Sequence, residues 1–427
     1  MTNSESMPVQ DVKSKFRLTG KERNWVLYDV ANSAFSLIES TILTFFFNVI
    51  SGNEGLSPAL YLAYWGYAQS VATVIYACMG PIIGALSDQK GMKKKFFAVI
   101  LFAACTLCIF MGVFRHWIAF LAAFVILRSL FSVSIVLYDS MLRDVTTEER
   151  MHNVSSQGYA WGYVGCLIPY AVLALVIFIV TGNLDLNNLT LLSIACVVTG
   201  FWWLIMSIPL LKSYEQKYYL TEARINPFKQ IWQTLKEAFS NKRIALFLLA
   251  YFFYIDGVFT IVKMSTAYAT SLGIDTLLMV AAMLGCQFVA CPSALLLGKL
   301  TAKYEAYKLI PFCIFGYFCI TVYAIFLGHI YQFVIMALAM GLVQGGTQAL
   351  SRSYFASITP VNKSGEFFGL YDILGKGASF LGTTLIGVVT QITGHQNYGV
   401  GAIALFFVIG LVLFLFSTKG ASGKSKE

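Results

Sequence analysis

Runs of about 20 mostly apolar residues recur along the whole chain, each long enough to cross a hydrocarbon core about 30 Å thick. Short polar segments separate them. Such segments cannot lie in lipid, because turns and charges need water or protein partners. A chain built this way can fold only as a bundle of membrane-spanning helices. Composition agrees, with 58% hydrophobic and 12% charged residues, where soluble domains carry about 25% charged residues. The first 20 residues are polar and no cleavable apolar segment opens the chain, so no signal peptide is expected.

Twelve spans are expected, at 25–50, 61–87, 96–114, 118–141, 157–180, 190–211, 244–270, 276–298, 309–327, 331–351, 366–391 and 398–417. An even number puts both termini on one side. With the termini inside, all but four of the 30 basic residues fall in cytoplasmic segments. Arg128, Lys263 and Lys376 lie within spans, and Arg115 lies outside. That asymmetry predicts an N-in, C-in orientation and argues against a nucleic-acid partner for the net charge of +9.

The widest cytoplasmic gap falls near the middle of the chain. The expected organisation is a flexible N-terminus (1–21), a six-helix bundle (22–211), a linker (212–243), a second bundle (244–417) and a tail (418–427). In the linker, Asn226-Pro227 reads as a helix start. Phe228, Ile231, Trp232, Leu235 and Phe239 follow at helical spacing, with Lys229, Lys236 and Glu237 on the other face. This predicts an interfacial amphipathic helix, or one packed beneath the bundle.

The halves also echo each other. Val145-Thr146 returns as Ile358-Thr359, Arg150 as Lys363 and Gly162 as Gly375, all at an offset of 213. Gly84-x-Leu86-Ser87 returns as Gly298-x-Leu300-Thr301 at 214, with Ala302 in place of the acid. A shared offset near half the chain is the mark of two parallel repeats.

The loop from Gly84 to Lys95 packs a turn, Asp88 and four lysines into a few residues between spans 2 and 3. Gly84-x-Leu86-Ser87-Asp88-x-x-Gly91 followed by Lys93 and Lys94 resembles the loop signature of the major facilitator superfamily. Two other stretches are Trp25-x-Leu27-Tyr28-Asp29-x-Ala31-Asn32-Ser33 and Gly345-Gly346-Thr347-Gln348-Ala349-Leu350-Ser351-Arg352-Ser353, the latter followed by Pro360 and Glu366-Phe367-Phe368-Gly369. Together they resemble the vacuolar, autophagy-related amino-acid effluxers and their bacterial relatives, over about residues 21–417. Val30 and Thr383 depart from that pattern. The resemblance implies an all-α membrane protein with the twelve-helix major facilitator fold, transport by alternating access, and amino-acid export. It further implies that helices 1, 4, 7 and 10 line the cavity. It makes Gly84, Asp88, Gly91, Lys93, Lys94, Arg352 and Glu366 part of a cytoplasmic gate, with Asp139, Arg143, Glu148, Glu149 and Arg150 as candidate ion-pair partners.

Ionisable groups inside spans are costly and default to a functional reading. In the first span, Asp29, Asn32, Ser33, Ser36, Glu39 and Ser40 fall on about a third of the helical circle. Asp29 lies near the cytoplasmic end and reads as a structural or gating acid. Glu39 lies deeper and suits a proton or an ammonium group. Arg128 and Asp256 are central in spans 4 and 7, while Lys263 sits near the outer surface. Asp372 and Lys376 stand at i, i+4 in span 11 and can neutralise each other. With cavity-lining helices, Glu39, Arg128 and Asp256 would converge, and the set suits a zwitterion. Arg128 or Lys376 would take a carboxylate, and Glu39 or Asp256 an ammonium or the coupling proton.

No phosphate-binding loop is present, so the chain is not expected to drive transport with ATP itself. The four histidines, His116, His152, His329 and His395, do not cluster, and neither a metal, a cofactor nor an enzymatic activity is expected. Cys105 and Cys108 have redox spacing but lie within a span without a second pair. The leading reading is a proton-coupled exporter of a neutral amino acid in a bacterial inner membrane. A proton- or sodium-coupled sugar symporter, and a non-transporting receptor or scaffold, are the competing readings.

Overall fold

The computed structural model describes residues 16–171, 188–221, 227–271, 276–377 and 379–419, and the described residues are helical nearly throughout. Among them, ten helices are long and apolar enough to cross a membrane. The fifth expected span runs into residues outside the described set, and the eleventh is described on either side of residue 378.

The helix starts are written locally. Thr19 and Glu22 form a reciprocal capping box at the start of α1 (Gly20–Ser40). At Thr41 the first span breaks and resumes as α2 (Ile42–Asn53). Together they form the one first span, Gly20–Asn53. Hydroxyls explain how a break is tolerated here: Ser40 donates to Ser36 O and Leu37 O, Thr41 to Leu37 O and Thr44 to Glu39 O. Ser57 caps α3 (Pro58–Ser87), which has Pro at its first position. Gly91, at φ +71°, makes the left-handed turn into α4 (Met92–Phe110).

Next come α5 (Trp117–Ser140), the single turn α6 (Leu142–Val145) and α7 (Glu148–Gly165). The chain thus becomes helical nine residues before the fifth span was expected, since Glu148 and Glu149 suit a helix N-terminus. The first half closes with α8 (Leu189–Ser213). The linker carries α9 (Pro227–Ser240). In the second half, α10 (Lys242–Ser271), α11 (Thr276–Leu300), α12 (Ala306–Ala324) and α13 (Ile330–Ile358) precede α14 (Ser364–Gly377) and α15 (Ser379–Thr393). The short α16 (Gln396–Ala402) and α17 (Ala404–Thr418) end it.

Within the first half α1 packs on α7 and α8, and α3 on α5. Within the second, α11 packs on α13 and α10 on α17. The halves meet where α3 and α5 touch α14, and where α7 touches α11 and α13. Glycines allow the closest of these crossings. A Cβ on Gly84 would collide with the Gly365 backbone, and one on Gly369 would come within 2.7 Å of Pro81 Cα.

The linker helix α9 rests on the bundle through its small residues. Thr234 and Ala238 are buried, while Trp232 and Phe239 are 71% and 52% exposed. The aromatic stripe turns outward because the small residues fit the contact with Glu366, which accepts from the Thr234 hydroxyl.

Candidate functional site

Two buried charge clusters occupy different depths on the same pair of helices. Asp29 and Glu39 are ten residues apart on α1, about 15 Å at 1.5 Å per residue, and Arg128 and Asp139 are similarly spaced on α5.

The cluster nearer the Asp88 end is centred on Arg352 of α13. Its guanidinium donates to Asp29 Oδ2 at 2.9 Å, Asp139 Oδ1 at 3.1 Å, Ser155 Oγ at 2.9 Å and Ser155 O at 3.0 Å. The Trp25 and Tyr159 rings lie 4.7 and 4.2 Å from it, adding cation–π contact. Four helices from both halves therefore meet on one side chain. The tenth span, expected to end at 351, runs on as α13 to Ile358, and Arg352 within it is only 2% exposed. Asp139 pairs here and not with the Asp88 loop. Gly158 leaves the space this cluster needs, for a Cβ there would meet both Asp29 and Arg352.

Around it the halves are latched at the same end. Gly365 N–H and Glu366 N–H donate to the two Asp88 carboxylate oxygens at 2.9 and 3.0 Å, so Asp88 caps the start of α14 from the other half. Lys93, fully buried, lies 3.1 Å from Asp88 and 4.0 Å from Asp144, and donates to Ser364 Oγ at 2.8 Å. Burial raises the Asp88 carboxyl above its ordinary range, against the pull of Lys93 and the two amides. Arg143 donates to Thr359 O at 2.7 Å across the halves and pairs with Glu148. Ser155 donates to Ala349 O at 2.8 Å, and His152 hydrogen-bonds Ser353 at 2.8 Å. Burial lowers the His152 imidazole to about 4.

Other expected partners lie elsewhere. Arg150 binds Glu22, which also accepts from Thr146, so it ties the start of α1 to α7 within one half. Its repeat partner Lys363 pairs with Glu237 of the linker helix. Lys94 and Glu149 are exposed.

The deeper cluster is smaller and less enclosed. Arg128 donates to Glu39, with side chains 20% and 9% exposed. Tyr76 of α3 is buried within electrostatic reach of both, and of Asp372 on α14. Asp372 also acts on Tyr159 and Asp139. Asp372 of the second half, partly exposed, therefore lies within electrostatic reach of groups from both clusters. Asn32 bonds weakly to Asp29 at 3.5 Å, and Ser36 is exposed on the same helix. Asp256 is held differently from the expectation of convergence. It accepts from Thr260 one turn on and lies against Gly382 in α15, inside the second half. The side chains of Lys263 and Lys376 lie outside the described residues.

Sequence reasoning did not find Tyr76, Asp144, Glu22, Ser155 or Tyr159. One signal for the upper cluster was present. Asp139 and Arg352 are separated by 213 positions, the repeat offset itself, so opposite charges occupy equivalent places on the two halves.

A family model described as "Vacuole effluxer Atg22 like" matches residues 142–426. The chain is 38% identical over 407 residues to an uncharacterized MFS-type transporter, YxiO, of Bacillus subtilis (strain 168), covering 94% of this chain and 95% of that one. It is 28% identical over 289 residues to autophagy-related protein 22 of Kluyveromyces lactis, covering 61% of this chain and 57% of that relative. Among solved structures, it superposes with a TM-score of 0.72 and 12% identity on the major facilitator transporter FucP in the outward conformation, covering 95% of this chain and all of that one. A bacterial homologue of the iron transporter ferroportin, in its outward-facing state, gives a TM-score of 0.69 at 12% identity.

Proposed function

Because the chain belongs to the Atg22-like vacuole effluxer family and is a secondary transporter of the major facilitator superfamily, we propose that its cargo is a neutral amino acid bound as a zwitterion between Arg128 and Asp372, with a proton as coupling ion. The carrying observation is the incompletely enclosed Arg128–Glu39 pair deep in the bundle, with Tyr76 beside it within electrostatic reach of Asp372 from the other half. A guanidinium accepts a carboxylate through two parallel charge-assisted bonds. Asp372 replaces Asp256 as the ammonium partner, since Asp256 lies against Gly382 inside the second half. The buried Tyr76 beside the pair suits an apolar side chain between the charged ends.

The latch at the Asp88 end closes the path on that side, which we take as cytoplasmic from the basic-residue asymmetry. Opening must break the Asp88 cap, the Arg352 cluster and the Ser155 and His152 bonds together, while the Gly84–Gly365 crossing lets α3 and α14 slide. A bacterial relative matching nearly end to end supports the cell membrane as location.

The test is counterflow in proteoliposomes with labelled neutral L-amino acids and, in parallel, labelled sugars. Amino-acid exchange that Arg128→Ala abolishes is the expected result. Sugar exchange, or amino-acid exchange at wild-type rate in Arg128→Ala, overturns the reading.

A further inference from the structure

We propose, on the reading of the Asp88 end as the closed side of the transporter, that the segment Phe16–Leu18 ahead of α1 is a strap. It closes the flank opposite Asp88, where it takes the place of an acid that the flank lacks. Nothing about the cargo enters this assignment.

The two flanks are unequal in their chemistry. On one, Asp88 caps the start of α14 from across the halves. Its repeat equivalent on the other is Ala302, whose methyl group accepts no hydrogen bond. The helices α7 and α11 nevertheless cross closely there, for a Cβ on Gly298 would come within 2.6 Å of Ser156 Cβ. Small residues let the two backbones approach, but they supply no charge-assisted tie of the kind Asp88 provides.

The segment is built into the first half. Gln157 of α7 donates its amide to Phe16 O at 2.9 Å, and Arg150 of α7 donates to Arg17 O at 2.7 Å. The Gln157 amide also donates to Asn153 Oδ1 at 3.1 Å, which orients it. Arg150 binds Glu22 as well, and the Glu22 carboxylate accepts from Thr19 N–H in the capping box that starts α1. Leu18 packs against the buried core. The backbone of this segment is therefore fixed on α7 from two sides.

From that footing the Phe16 ring reaches the other half. Lys299, in the last turn of α11 and next to Gly298 at the crossing, places its ammonium over the ring, 4.7 Å from the centroid. A cation over an aromatic face is attracted by the ring quadrupole. The Phe16 main chain thus belongs to α7 while its side chain holds α11. Parting those helices must either separate the ring from its cation or pull the segment off Gln157 and Arg150. An opening that breaks the Asp88 cap on one flank breaks this contact on the other.

The experiment uses the full chain with Ala349→Cys as reporter. Ala349 is fully buried, and its carbonyl accepts from Ser155 across the halves, so its thiol reacts with a charged maleimide only on opening. Rates are taken over those of the parent, whose exposed thiols are Cys78 and Cys319. Phe16→Ala and Lys299→Gln are each expected to raise the rate about two- to fivefold, the size of an exposed cation–π contact. The double variant should rise no further than either single one, which marks a shared contact. Phe16→Trp, the strongest cation–π partner, should lower the rate below wild type. Additive effects of the two single variants, or a rise in Phe16→Trp like that in Phe16→Ala, would overturn the strap. So would an unchanged rate in Phe16→Ala beside a raised one in Asp88→Asn, which leaves the closed-side reading intact. Unchanged rates in both overturn that reading, and the strap with it.

Discussion

Arg352 and Arg128 both sit among acids that α1 and α5 supply, yet their surroundings differ in kind. Arg352 donates to two carboxylates, a hydroxyl and a carbonyl, is covered by aromatic rings and is 2% exposed. Among the described residues Arg128 pairs with one acid, and its side chain is 20% exposed. A guanidinium carries five donors in a fixed fork. Arg352 has committed that capacity to the protein, whereas Arg128 retains some for a ligand. Two stations about 15 Å apart on the same helices can therefore divide the work: one holds the halves together, the other holds the cargo.

The sharpest way to break this comparison is to remove each arginine in turn. Arg352→Ala leaves Asp29 and Asp139 buried without their cation, and breaking a buried pair costs about 3–5 kcal/mol. A large fall in the thermal midpoint in detergent is the expected outcome, with Arg352→Lys recovering little of it because a single ammonium cannot reach the same acceptors. Arg128→Ala, which leaves one acid rather than two without its cation, is expected to lower the thermal midpoint less than Arg352→Ala does, while amino-acid exchange falls by about a hundredfold or more, the loss of a charge-assisted contact of about 3 kcal/mol. If Arg352→Ala stays folded and Arg128→Ala does not, the division of roles is wrong.

How far the sequence foretold this differs by feature. Apolar run length and the skew of lysine and arginine are local properties, and they suffice for the helical membrane architecture. The Asp88 loop was likewise legible as a unit, because its turn and lysines lie within a few residues. Helix breaks were not: Thr41 carries no proline or glycine, and its kink is stabilised by hydroxyls that are ordinary within a span. The depth of Arg352 was hidden because its helix runs on through Ser353 and Ser357, polar residues whose hydroxyls bond back to their own helix. Ion partners were the least accessible, since Asp29 and Arg352 meet across 323 positions and no local pattern encodes such a pairing. Asp372 changed meaning for a similar reason: within its helix it faced Lys376, and only the packing of α14 against α3 brings it near Tyr76.

The latch offers a finer test of how the upper station is reinforced. Asp88→Asn keeps one acceptor oxygen for α14 but loses the charge that Lys93 neutralises. It is expected to shift the balance toward the state open at that end by about tenfold, equivalent to about 1.4 kcal/mol. Alkylation of an engineered cysteine beneath the latch reads this directly. An unchanged rate would assign the closure to the Arg352 cluster and the glycine crossings alone.

On the opposite flank the repeat-equivalent position is Ala302, and closure there relies on Gly298 packed against Ser156 and on the His152–Ser353 bond. This flank should respond to pH through His152. In the closed arrangement its imidazole is lowered to about 4 from an ordinary 6.5, so the closed state binds fewer protons than an opened, hydrated one. Closure is therefore fully favoured above pH 6.5 and loses that advantage as pH falls toward about 4. The same alkylation assay, run from pH 8 to pH 5, should show access rising a few-fold in wild type and staying flat in His152→Gln (the shift being a single-site effect of at most tenfold per pH unit). A profile that His152→Gln leaves unchanged would remove the pH response from this flank and leave the His152–Ser353 bond a structural contact only.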